Sequence, residues 1–125
     1  MGFWIYMLGM EMLIPLIMII FGYLFAHKAP GKINWLYGYR TRRSMMNMDT
    51  WSYAHRYIGK LWQVMGSVIL LITAAVMLLV MRKDKDTIGL IGMAITALQM
   101  IPLIGSLFVT ESELKKTFDE SGNRR

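Results

Sequence analysis

Three blocks of apolar residues, Phe3 to Ala26, Ile58 to Met81 and Ile88 to Val109, constrain this chain more than any other feature. Each block is about 20 residues long or slightly longer, which at ~1.5 Å of helix rise per residue crosses a ~30 Å hydrocarbon core. In lipid every backbone N–H and C=O must find its partner inside the spanning structure. Helices do this one segment at a time, whereas a barrel needs alternating strands in much greater number. The expectation is an all-α membrane protein: a single domain with three transmembrane helices, a loop over 27–57 and a polar tail over 110–125. A bundle this small offers little interior for a solute path unless copies associate as a homo-oligomer.

The first block does not read as a signal peptide. It lacks a basic leading segment, it is too long, and no small-x-small site closes it. Lys28 and Lys32 follow it as membrane anchors. The chain has no cysteine, which removes disulfides and thiolate metal sites from consideration. No cofactor is expected.

The net charge of +6 is distributed unevenly. The first loop holds six basic residues (Lys28, Lys32, Arg40, Arg42, Arg43 and Arg56) against Asp49, and the tail holds four more among its acids. The turn between the second and third blocks holds three, Arg82, Lys83 and Lys85. Short basic loops stay in the cytoplasm. The chain is therefore expected in the cell membrane with its N-terminus outside and its C-terminus inside. Beside membrane spans such charge speaks for topology and anionic lipid rather than nucleic acid.

Within the blocks, Trp4, Tyr6 and Tyr23 suit the membrane interfaces, and Pro15 should kink the first helix. Asn47 or Asp49 can cap a helix that starts at the end of the loop. From Thr50 to Trp62 the apolar residues fall at helical spacing. That pattern predicts an interfacial amphipathic helix leading into the second span; as one straight helix it would exceed the bilayer core, so it either projects into the cytoplasm or bends near Gly59 or Gly66. Gly92, Thr96 and Gln99 form a small and polar stripe that lets another helix approach. Beyond Phe118 the tail is expected to fray or to be disordered.

Glu11 is costly inside a span and is a functional candidate for that reason. It lies ~12 Å from the outer end of its helix, as do Thr73 and Thr96 in theirs, with Gln99 a turn deeper. A polar layer of these four would satisfy the carboxyl group, either as glue between helices or as a site for a proton or ligand.

The loop segment from Asn34 to Ser44 concentrates three guanidinium groups, two hydroxyls and two phenols. Arginine forks suit phosphate and carboxylate, and backbone donors around Gly38 can add an anion nest. The plainer alternative is that these arginines set topology and touch lipid headgroups. His27 and His55 show no metal-ligand spacing, Ser44 has no evident catalytic partners, and no enzyme activity is expected.

The run Asn34, Tyr37-Gly38-Tyr39-Arg40-Thr41 and Ser44, followed by Trp51 and Ala54-His55-Arg56, resembles the SdpI family of bacterial membrane proteins. The resemblance is detailed from Lys28 to Gly66. It implies an immunity protein that protects the cell from a membrane-active peptide toxin by binding or blocking it. It also implies that Asn34, Tyr37, Gly38, Tyr39, Arg40, Thr41, Ser44 and Trp51 carry partner binding, with Glu11 added from its burial in the span. Some members of the family also bind a repressor at the membrane, so a cytoplasmic regulator is a further implied partner. The second reading is a small membrane protein that binds or transports an anionic, phosphorylated lipid through its arginine-rich loop.

Overall fold

A computed structural model describes residues 2–28, 31, 33 and 38–125. It contains three helices: α1 (Gly2–His27), α2 (Met48–Leu79) and α3 (Lys85–Thr117). All three are long and apolar enough to cross a membrane. At ~1.5 Å per residue, α2 and α3 are ~50 Å long, well beyond a ~30 Å hydrocarbon core.

α1 matches its apolar block closely. α2 begins ten residues before its block because the amphipathic stretch from Thr50 to Trp62 is simply its first turns. That stretch is continuous with the spanning helix. Trp51, Ala54, His55 and Ile58 are completely buried there, against α1, the loop and the tail. The helix is continuous through Gly59 and Gly66. These glycines serve close approach instead. A Cβ on Gly59 would stand 2.5 Å from Ala26 N and 2.6 Å from Gly22 O, and one on Gly66 would stand 3.0 Å from Pro15 O. α1 thus lies almost backbone to backbone on α2, the geometry by which dispersion and packing hold helices together in lipid.

Asn47 is the N-cap of α2. Its side chain accepts from Thr50 N at 2.9 Å, and its own N–H donates to Thr50 Oγ1 at 3.1 Å, a reciprocal capping box. Asp84 caps α3 by accepting from Thr87 N at 3.2 Å. Hydrogen bonds from Thr87 hold its carboxyl below the ordinary range.

Trp4 makes a contact between helices. It is buried, and its indole N–H donates to Met77 O at 2.7 Å, tying α1 to α2. Tyr6 and Tyr23 remain exposed. The tail departs from expectation. It turns back after α3, pairing Phe118 with Arg124, and Arg125 N donates to Thr117 O at 2.9 Å. Phe118 is buried among Phe25, Tyr39, Ala54, Ile58 and Leu114. Arg124 forms a two-point pair with Asp49 at 2.8 and 2.9 Å, and Asn47 Nδ2 donates to Gly122 O at 2.8 Å. The order comes from Phe118, which has an apolar cluster to enter.

Candidate functional site: a closed loop at one end of the bundle

The loop residues from Gly38 to Ser44 form a knot of short hydrogen bonds over the N-terminal turns of α2. Gly38 has φ 111°, a conformation that side-chain-bearing residues rarely adopt. Ser44 is fully buried and is the centre of the closure. Its Oγ accepts from Thr41 N at 2.8 Å and shares its proton between Tyr39 O at 2.9 Å and Thr41 O at 3.0 Å. In return, Ser44 N donates to Thr41 Oγ1 at 3.1 Å. Thr50 Oγ1, one of the capping-box groups, reaches Ser44 O at 3.0 Å and so ties the loop to the helix start.

His55 completes the knot. Its Nε2 accepts from Tyr39 N at 2.9 Å, and its Nδ1 lies 2.8 Å from Trp51 O. An acceptor at Nε2 requires the proton at Nδ1, so this is the neutral ring with one defined tautomer. The ring lies 4.3 Å from the centroid of Trp51 and meets Phe25 edge-on at 5.1 Å.

Tyr39 is buried. Its hydroxyl donates to Leu107 O at 3.3 Å and lies beside Glu111. Burial, and then the Glu111 charge, push the phenol well above its ordinary range. Glu111 keeps one buried carboxylate oxygen, Oε2, without a hydrogen-bond partner among the described residues.

Of the residues singled out from sequence, Gly38, Tyr39, Thr41, Ser44 and Trp51 come together here. Arg40 sits on the outside of the same loop, exposed, at the rim of a cleft shared with α1, α2 and α3. Asn34 and Tyr37 lie outside the described residues. The amides of Tyr39 and Thr41 are already taken by His55 and Ser44, so they do not supply the anion nest expected around Gly38.

Glu11 belongs to a different cluster. Thr96 Oγ1 donates to Glu11 Oε2 at 2.8 Å, and Gln99 Nε2 donates to Glu11 O at 2.9 Å and to Thr73 Oγ1 at 3.0 Å. The polar layer expected from helix depth is present, and it joins all three helices. Among the described residues no group of three His, Asp or Glu gathers as a metal site.

By sequence His55 reads as a solvated or surface-bonded side chain, and nothing there singles out Glu111, Phe118 or Arg124. Only the i, i+4 spacing of Trp51 and His55 signals that the two rings share one helix face.

The sequence profile described as the SdpI/YfhL protein family matches residues 31–110. A curated relative, YfhL of Bacillus subtilis (strain 168), described as an uncharacterized protein, is 36% identical over 113 residues. The alignment covers 86% of this chain and 89% of that protein. No solved structure matches significantly. With more than half of its length matched by the profile, motif loop included, the chain belongs to the SdpI/YfhL protein family.

Proposed function

We propose that this protein confers immunity: it protects its cell from a membrane-active peptide toxin by binding or blocking the peptide in the bilayer. The observation that carries the reading is the closed loop. Tyr39, Thr41, Ser44 and Trp51, which carry the resemblance to the SdpI family, hold one rigid shape at one end of a three-helix bundle. Arg40 lies on the outside of it. A loop closed by its own hydrogen bonds, with Arg40 and Arg42 exposed on it, suits recognition, since little ordering remains to be done on binding. The role is binding rather than catalysis, with Glu11 and its partners joining the helices behind the site. A soluble regulator that docks on the basic loop would be a second partner.

Expression in a toxin-sensitive cell tests the proposal. Survival should rise, and a correctly inserted protein that protects against no candidate peptide would contradict it. The orientation proposed is N-terminus outside and loop inside. Because the chain has no cysteine, single cysteines report it directly. Cysteines at positions 2 and 84 should react with an impermeant reagent on intact cells, and one replacing exposed Arg42 should not. The reverse pattern would overturn the orientation and place the loop on the side from which a secreted peptide arrives.

A further inference from the structure

We infer that a basic cleft on α2, between Arg56 and Lys60, binds the phosphate of an anionic phospholipid whose acyl chain runs down the same helix face. Tyr53, Arg56, Tyr57 and Lys60 of α2 and Arg124 of the tail line this cleft, which holds about 320 Å³. Cations from two distant parts of the chain thus converge on one space. Arg124 is already committed. It grips both oxygens of Asp49 at 2.8 and 2.9 Å and stands over the rings of Tyr53 and Phe118 at 5.6 and 5.2 Å, so it serves as a fixed positive wall. The nearby acids are committed as well. Asp49 is held below the ordinary carboxylate range first by its hydrogen bonds from Arg124 and least by the charge of Arg56, and Glu113 Oε1 accepts from the Tyr53 hydroxyl at 2.8 Å. Arg56 and Lys60 are exposed, and neither forms an ion pair or a side-chain hydrogen bond among the described residues.

The depth of the cleft selects a lipid. Lys60 lies two residues inside the apolar block that starts at Ile58, and its neighbour Gly59 meets the backbone of Gly22 and Ala26 at the end of the first apolar block. Arg56 is one turn, ~6 Å, further out. This is where hydrocarbon gives way to headgroups, and where a long cationic side chain reaches toward phosphate. On the other side of Lys60, Val64 and Val68 continue the face at four-residue steps, and both are exposed. One stripe of α2 therefore carries charge above and apolar surface below. A phosphodiester accepts from the guanidinium fork and the ammonium together while its chain covers the valines. A soluble anion would leave the valines uncovered, and an uncharged amphiphile would leave two cations without a counter-charge at the hydrocarbon boundary. Lipid binding is read on purified protein without any toxin, so it can fail or hold independently of the immunity reading.

The test is native mass spectrometry of the full chain from micelles doped with phosphatidylglycerol, phosphatidylcholine or inorganic phosphate. One phosphatidylglycerol should be retained. Phosphatidylcholine, whose choline cation would sit among like charges, should be lost, and inorganic phosphate should neither bind nor compete. Arg56→Gln and Lys60→Gln should each weaken phosphatidylglycerol retention by about tenfold, the scale of a lost charge-assisted contact. Lys115→Gln removes an equal charge from an exposed side chain of α3 outside the cleft and should change retention less than about twofold. Circular dichroism checks folding, and Lys60→Gln carries the test should Arg56→Gln misfold. Equal effects of Lys60→Gln and Lys115→Gln would overturn the site in favour of diffuse surface charge. Equal retention of phosphatidylcholine would reduce it to a chain groove, and competition by inorganic phosphate to a soluble-anion site; either result contradicts the inference.

Discussion

The polar layer around Glu11 and the knot around Ser44 solve the same problem in opposite ways. Both bury polar groups, and both satisfy them at 2.8–3.1 Å. In the layer, side chains from three helices meet one another and the main chain of α1, so the partners are set by depth along each helix. In the knot, side chains mostly close on the main chain of a loop, so the partners depend on how that loop turns. The layer joins elements that would pack anyway. The knot creates a shape that would not otherwise exist. The layer should therefore be tolerant and the knot brittle.

Mutations can break that comparison, beginning where the effect should be largest. Phe118→Ala removes the buried ring by which the tail covers the knot and should cost about 3 kcal/mol, the scale of a buried aromatic truncation. His55→Leu leaves Tyr39 N–H buried without an acceptor and should cost about 2 kcal/mol. Thermal unfolding in detergent reads both, and His55→Leu should also speed proteolysis near Gly38. Glu11→Leu should cost only about 1 kcal/mol, the scale of an intramembrane hydrogen bond. Glu11→Gln should be close to silent, because the amide can keep Thr96 as a partner. If Glu11→Leu destabilised the bundle more than His55→Leu, the contrast between the two regions would be reversed.

The same contrast explains how much of the molecule is legible in its sequence. Helix depth is arithmetic at a constant rise, so Glu11, Thr73, Thr96 and Gln99 can be matched from residue positions alone. The three spans are legible for a related reason, since backbone satisfaction in lipid leaves few alternatives. The knot is legible only as a set of residue types. Nothing local says that Tyr39 N meets His55, sixteen residues away, or that Tyr39 reaches Leu107 and Glu111 on α3. The fate of the tail is hidden in the same way. Its composition suggests disorder, and only the apolar cluster of α1, α2 and the loop gives Phe118 a place to go. The contact of Trp4 with α2 is not legible because an indole serves an interface and a helix contact equally well by sequence.

If the closed loop exists to present Arg40, and the other loop arginines supply charge, lysine separates the two roles. Lysine keeps the charge and loses the planar fork, so topology is preserved while recognition is not. The decisive measurement is survival of toxin-challenged cells expressing Arg40→Lys or Arg43→Lys, each checked for membrane insertion and amount. Both variants should insert normally, Arg40→Lys should lose most of its protection, and Arg43→Lys should keep it. Equal protection by the two variants would reduce the loop to a belt of positive charge and contradict the role given to Arg40.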